Sequence, residues 1–465
     1  MAMKNLEAEG TMSSVAAYYN GKSILITGAT GFMGKVLIEK LLRSSPDVKA
    51  IYILVRPKAG QSMQNRVENM VKCKLFDRVR EEWPNFHEKI KPINAELTQP
   101  NLAIAPEDTA ELLQEVNIVF HCAATVRFDE PLKLALWLNV RATQQLLVLA
   151  HRMQHLEAFI HFSTAYANCN RRYIEEVIYS PPMEPKKLFD LVEWMDESLL
   201  EEITPKLIGD WPNTYTFTKA LGEYLVQQEK GNLNIAIIRP SIVGASWREP
   251  FPGWIDNFNG TSGLLIAVKY HVMSTYKRNP LEKAFRIPNA NMTSNYLMHQ
   301  YWTAVSHKIP AFLYDVYLRL TGRKPRMMKL FHRLHKSMAF FEYFTSRTWE
   351  WSSDNMNMLM RQLSPKDKKL FCFDVRQLHW SEYIENYCVG TKKYLLNEDM
   401  AGIPAAKQHL RKLRNIQYAL NTILLVIIWR VFIARSQMAQ NVWYFVVNLC
   451  YKFLNYFRAS SSLRH

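Results

Sequence analysis

The sequence predicts an α/β protein: a doubly wound parallel sheet, then a helical C-terminal domain, then a C-terminal membrane segment. Three observations predict it. Short apolar runs alternate with amphipathic helical stretches from Lys22 to about Pro240. A glycine-rich turn, Thr27–Gly34 (TGATGFMG), follows the first apolar run. A predominantly apolar stretch, Ile416–Ala434, has about the 20 residues that a spanning helix needs.

The elements follow in chain order. Met1–Asn20 has no apolar core of signal-peptide length and reads as a mobile tail. Ser23–Thr27 (SILIT) is a strand ending at glycines, and Phe32–Leu42 carries apolar residues at helical spacing. Ala50–Val55 (AIYILV) and Ile118–His121 (IVFH) are further buried strands, with a presumed third strand ending before Glu96. Pro131–His151 is a long amphipathic helix, Ala158–Ser163 a strand, Tyr215–Gln228 a helix and Asn234–Pro240 a strand. This alternation implies a parallel sheet covered by helices on both faces. The expected domains are 1–20 (tail), 21–275 (nucleotide-binding), 276–412 (helical) and 413–465 (membrane-anchoring).

With 48% hydrophobic and 22% charged residues, the 465-residue chain is set to fold around cores. Its formal net charge of +16 suits an anionic partner: nucleic acid, an anionic leaflet or a phosphorylated substrate. The six cysteines include no CxxC pair and no zinc-like spacing with histidine, so reduced thiols are expected and no metal.

Gly28, Gly31 and Gly34 lie between a strand and a helix, where glycine permits a tight turn and close approach to a pyrophosphate. The helix N-terminus offers unpaired N–H groups. Thr27, Thr30 and Phe32 belong to the same loop and are cofactor-contact candidates. At the end of the second strand, where an NAD site wants a carboxylate, the chain has Arg56, with Lys58 close behind. A cation there favours the 2′-phosphate of NADPH; a solvated basic turn is the bland alternative. Glu96 is a candidate for the adenine side, or an ordinary exposed glutamate.

Tyr215 and Lys219 (YTFTK) are spaced i, i+4, on one helix face. An ammonium near a phenol favours phenolate, so Tyr215 is expected to be an acidified proton donor to a carbonyl oxygen. Ser163 and Thr164 end a strand upstream and are candidates to hydrogen-bond that oxygen. Asn139 is a candidate to steer a proton relay, against the plain reading of a helix-surface asparagine.

These motifs carry a resemblance. TGATGFMG, ILVRP (Ile53–Pro57), HCAATVRFDEPL (His121–Leu132), HFSTAYAN (His161–Asn168), NTYTFTKALGE (Asn213–Glu223) and IIRPSIVGASWREPFPGWIDN (Ile237–Asn257) together resemble the alcohol-forming fatty acyl-CoA reductases, in particular the insect branch. The similarity runs through nearly all of Lys22–Gly263 and resumes in HKIPAFLYDVYLRLTGRKP (His307–Pro325) and FEYFTSRTWEW (Phe341–Trp351). It implies a Rossmann sheet of the extended short-chain dehydrogenase/reductase type. It also implies NADPH on Gly28, Gly31 and Gly34, with Tyr215, Lys219 and Thr164 (Ser163 as alternative) at the chemistry. The implied reaction reduces a long-chain acyl thioester through a hemithioacetal to an aldehyde, releasing coenzyme A, and then to a primary alcohol. Lys219 would hold the nicotinamide ribose. Long-chain fatty acyl-CoA and membrane lipid are then the partners, nucleic acid is not, and a homo-oligomer stays open.

The chain departs from that family at one place. Members continue after PGWIDN with a segment like VADIIPVD, a helix and a strand of the YNC type. Here Leu264–Lys277 (LLIAVKYHVMSTYK) passes almost directly into Arg278–Asn289 (RNPLEKAFRIPN). Several dozen residues are missing, including a late strand and part of the acyl-side wall. Removing a packed strand exposes core surface. The alternatives are therefore a weakly active or inactive NADP-binding isoform and, more distantly, a sterol or sugar dehydrogenase on the same fold.

Basic residues punctuate Pro310–Phe344, and Lys407, Arg411, Lys412 and Arg414 precede Ile416–Ala434. The positive-inside rule then predicts a membrane-anchored chain with its catalytic part in the cytosol, at the endoplasmic reticulum or peroxisome. Val442–Phe457 is a second membrane candidate, and the terminal SLRH is no clear peroxisomal address.

Overall fold

The computed structural model describes residues 15–57, 60–259 and 296–462. Its strands are β1 (Ser23–Thr27), β2 (Ala50–Val55), β3 (Ile90–Asn94), β4 (Val116–His121), β5 (Ala158–Phe162), β6 (Tyr173–Ile174), β7 (Ile235–Ile238) and β8 (Glu350–Trp351). Six form one sheet, ordered β3-β2-β1-β4-β5-β7, with every pair parallel. The strand order turns back between β1 and β4, where open α/β sheets place their ligand crevice.

Every residue of β1 and β2 is buried. Alternate side chains enter opposite cores, as the two-residue strand period requires. Ile24, Ile26, Ile51 and Ile53 join Ile38 and Leu42 on one face, while Leu25, Tyr52 and Val119 join Leu146 and Leu147 on the other. The doubly wound sheet predicted from the alternating runs is therefore present, with strand boundaries within two residues of those read from sequence.

Three local features differ from expectation. Val15–Tyr18, inside the expected mobile tail, forms a helical turn, and the Tyr18 hydroxyl donates to Glu157 at 3.0 Å. The long helix near Pro131–His151 is interrupted: Leu132–Leu136 and Ala142–Arg152 flank a π-helical turn at Trp137–Arg141. Such turns concentrate at functional sites. Among the described residues β7 has no strand on its outer side, and Ile238 is 42% exposed. The junction Lys269–Asn279, where the family pattern breaks, lies outside the described residues, as does Lys58.

The chain divides into two compact units. One comprises 1–264 with 332–397, the other 265–331 with 398–465. Residues 341–351 therefore pack with the sheet. They are held by the parallel β6–β8 ladder and by Trp349 and Trp351, whose ring N–H groups donate to the Cys169 and Ala165 carbonyls, both at 2.9 Å. The second unit is helical in its described parts. There the Asp315 carboxylate accepts from the backbone N–H groups of Arg326, Met327 and Met328 at 2.8–2.9 Å, capping the helix that starts at Met327.

The membrane expectation is corrected. Ile403–Arg435 is a 33-residue helix, but among the described residues no helix is long and apolar enough to cross a membrane. Lys407, Arg411, Lys412 and Arg414 occupy its first half, and Gln417, Asn421 and Arg430 interrupt the apolar run that follows.

The β1–helix turn is sterically closed. Gly28 adopts φ +68°, and a Cβ there would meet the Ala123 nitrogen at 2.8 Å. A Cβ on Gly34 would meet the Gly28 carbonyl oxygen at 2.4 Å and the Ala29 Cα at 2.7 Å. Both obstacles are backbone, so neither yields easily. Gly34→Ala is expected to lower unfolding stability by about 2 kcal/mol or more, measured as a reduced denaturant midpoint at unchanged slope.

Candidate active site

The C-terminal ends of β1, β4 and β5 are neighbours in the sheet, and the helix Thr214–Glu229 packs against them. β1 ends at the glycine turn. The first helical turn after it, from Phe32, has Gly31 as its cap and no side-chain cap, so its N–H groups are not claimed by a capping side chain. Thr30 and Gly31 are partly or fully exposed, whereas Gly34 is buried beneath the turn and Phe32 packs on the adjacent core.

Thr27, expected among the cofactor contacts, turns inward. It is fully buried, its hydroxyl accepts from the Ala123 N–H at 3.1 Å, and it lies 2.8 Å from His121 Nδ1. The other His121 nitrogen lies 2.9 Å from the Thr143 hydroxyl, which donates to the Asn139 carbonyl at 3.0 Å. With its proton spent on Asn139, Thr143 must accept from His121 Nε2–H, and Thr27 donates to Nδ1. The imidazole is therefore neutral. Burial, then the Lys219 charge, pushes its pKa down to about 3. This chain of bonds holds β4 beside the glycine turn.

Asn139 is also corrected. It is buried, and its side chain is committed: Oδ1 accepts from the Thr125 N–H and Nδ2 donates to the Thr218 hydroxyl, both at 3.0 Å. It clamps the loop after β4 to the Thr214–Glu229 helix, so the plain reading of a helix-surface asparagine is set aside.

Asn213 caps that helix by accepting from the Thr216 N–H at 2.9 Å. Tyr215 and Lys219 then follow on one face, and the structure brings both to the end of β5. The Lys219 ammonium is 3% exposed and donates to the Phe162 carbonyl at 2.7 Å. Burial lowers its pKa to about 8, opposed chiefly by the Glu223 charge. Tyr215 lies near the Thr164 hydroxyl, which favours its phenolate, while that hydroxyl donates to the Pro240 carbonyl at 3.4 Å. Burial raises the phenol pKa to about 12, and the Thr164 hydroxyl opposes this only in part. The expected acidification of the phenol is thus reversed: desolvation outweighs the Thr164 hydroxyl, and the Lys219 ammonium is directed to a main-chain carbonyl. Of the two hydroxyl candidates, Thr164 meets the phenol, whereas the buried Ser163 hydroxyl has no partner among the described residues.

Arg56 is exposed at the end of β2. Sequence reading missed Arg66, which donates to the Arg56 carbonyl and, at 2.9 Å, to the Thr30 hydroxyl in the glycine turn. Burial and the nearby Arg56 charge both lower its pKa. Glu96 lies beyond β3, half-buried, and accepts from the Thr98 hydroxyl at 3.1 Å. Also missed was Glu223, one helical turn beyond Lys219 and so findable from spacing. It accepts two bonds from Arg239 at 2.7–2.8 Å, and Arg239 also donates to the Glu175 and Val177 carbonyls at 2.9 and 2.6 Å.

A glycine turn that excludes side chains, cations at the end of β2, and a buried lysine beside a protonated phenol fit a nicotinamide dinucleotide and proton donation to a carbonyl. Comparison with known proteins agrees with this. An NAD-binding family described as "male sterility protein" matches residues 26–295, and a second family of that description, the sterile domain, matches 306–398. The chain is 60% identical to "Fatty acyl-CoA reductase 1" of Gallus gallus and 59% to that of Homo sapiens, each over 98% of this chain and 100% of the relative. It is 56% identical to "Fatty acyl-CoA reductase 2" of Bos taurus, over 97% of this chain and 100% of the relative. The first two alignments run over 515 residues against a chain of 465, so several dozen positions of those relatives have no counterpart.

Glu223 is 1% exposed, so removing its charge strands Arg239 and one support of Lys219. Glu223→Ala is expected to cost about 3 kcal/mol or more of stability, read from equilibrium unfolding in urea.

Proposed function

The chain belongs to the fatty acyl-CoA reductases, and from that membership we propose that it reduces long-chain fatty acyl-CoA to the primary alcohol using NADPH. The meeting of Thr164, Tyr215 and Lys219 at the end of β5, one strand removed from the β1 glycine turn, supports this reading. When bound, the nicotinamide supplies the hydride. Gly28, Gly31 and Gly34 close the turn without side chains, so the cofactor's phosphates could approach the first turn of the helix from Phe32, whose N–H groups no capping side chain claims. The choice of NADPH over NADH rests on Arg56 and Arg66: two cations pressed together at the end of β2 are relieved by an anion such as the 2′-phosphate.

Tyr215 donates the proton. Held protonated to about pH 12, its phenol gives a hydrogen bond, and then the proton, to the thioester carbonyl oxygen as that oxygen gains negative charge. Thr164 orients the phenol and adds a second polar contact at the same oxygen. Once coenzyme A has left and a second NADPH has replaced the oxidised cofactor, the aldehyde oxygen would meet the same pair, so one constellation serves both reductions. Lys219 contributes a fixed positive charge inside the site, anchored by Phe162 and supported by Glu223.

A second reading has one observation behind it. The outer edge of β7 is open among the described residues, and positions are missing relative to the family. An isoform that binds NADPH but turns over slowly fits that edge; cofactor binding without alcohol formation would select it.

Tyr215→Phe is expected to lower acyl-CoA reduction by about 10²- to 10⁴-fold while leaving the NADPH dissociation constant within about twofold. Alcohol formation and cofactor fluorescence titration check the two halves. Lys219 is charged below its pKa of about 8, so the rate is expected to fall as pH rises through that value, well before Tyr215 ionises. Lys219→Arg keeps its charge to higher pH and should move that alkaline limb upward; a limb that stays put assigns it to another group.

A further inference from the structure

Tyr215 is built into an aromatic surface. Phe128, on the loop after β4, stacks on the Tyr215 ring with centroids 5.8 Å apart and planes 29° apart. Behind Phe128 stand Phe341 and Phe344, at 6.1 and 5.5 Å. Tyr166 meets Phe344 edge-on at 5.3 Å. All of these belong to one compact unit, although Phe341 and Phe344 come from far along the chain.

The surface is rigidly held. Thr125 donates to Glu130 at 2.7 Å, and the Glu130 carbonyl accepts from the Thr214 hydroxyl at 2.8 Å, fixing the Phe128 loop to the catalytic helix. The Tyr343 hydroxyl donates to the Cys169 carbonyl at 3.0 Å, fixing the helix that carries Phe341 and Phe344. Yet Phe128, Phe341 and Phe344 are only half-buried. Fixed, half-open aromatic rings beside a reacting phenol form a wall for apolar substrate atoms. Of the two halves of an acyl thioester, only the acyl chain matches; the phosphate-bearing carrier does not.

Resting on the function proposed above, we propose that Phe128, backed by Phe341 and Phe344, determines specificity at the acyl carbons next to the carbonyl. A carbonyl oxygen at the Tyr215 hydroxyl puts the adjacent carbon against Phe128 and the following methylenes along Phe341 and Phe344. The wall admits a straight chain and excludes one branched at the carbon beside the carbonyl.

The test compares kcat/KM for octadecanoyl-CoA and 2-methyloctadecanoyl-CoA in the full chain, with NADPH binding as the check on folding. Wild type is expected to prefer the straight chain by about 10-fold or more. Phe128→Ala should reduce that preference to under about threefold, chiefly by improving use of the branched substrate. Phe128→Tyr should retain the preference, and Phe344→Ala should weaken it by lowering use of the straight chain through KM. A wild type without preference, or an unchanged ratio in both alanine variants with wild-type NADPH affinity, overturns the wall alone. Absence of wild-type turnover with either substrate overturns the proposed function and the wall with it.

Discussion

The site depends on burying one positive charge. An ammonium out of water is costly, and a protein keeps one only by surrounding it with matched partners. Lys219 has two, the Phe162 carbonyl at the end of β5 and the Glu223 carboxylate one turn along its own helix. Glu223 in turn needs Arg239, which follows β7 and reaches the carbonyls of Glu175 and Val177. One buried cation thus fixes the spacing of β5, the catalytic helix and the residues just past β7. It also explains why the two histidines nearby are neutral: both are fully buried, and Lys219 lowers the pKa of each.

The same burial sets the chemistry of Tyr215. A phenol acidified by an adjacent ammonium would be the natural reading of a Tyr-Lys pair four residues apart. The surroundings reverse it, because withdrawing water disfavours phenolate more than the Thr164 hydroxyl favours it. The outcome suits a proton donor. A phenol that remains protonated at working pH can respond to charge developing on a substrate oxygen without losing its proton to solvent beforehand.

Local patterns in the sequence revealed the sheet and the glycine turn because both are written in short stretches: continuous apolar runs for strands covered on two faces, and glycines where a Cβ would strike backbone. Tyr215, Lys219 and Thr164 were legible for the same reason. The orientations of Thr27 and Asn139 were not legible because hydroxyl and amide side chains say nothing in sequence about which way they turn; packing against His121 and Thr218 decided that. Arg66 was missed, and the packing of the Phe341–Trp351 segment with the sheet was not legible, because long-range contacts decide both. The apolar stretch in the helix Ile403–Arg435 misled in another way. Composition over a window suggested a membrane span, while the polar and basic residues along the helix deny it the uninterrupted apolar length that crossing requires.

The residues that act sit in the middle of the sheet, and the irregularity sits at its edge. The glycine turn, Thr164 and Lys219 are tied to β1, β4 and β5, which are interior strands of the described sheet. β7, whose outer edge is open among the described residues, lies beyond them. The interior strands are paired on both sides, and the buried ion pair of Glu223 and Arg239 braces the region just past β7. An open β7 edge therefore leaves the support of Lys219 in place. The aromatic surface beside Tyr215 is built from Phe128, Phe341 and Phe344, all retained and packed with the sheet. That surface thus rests on interactions other than those of the β7 edge.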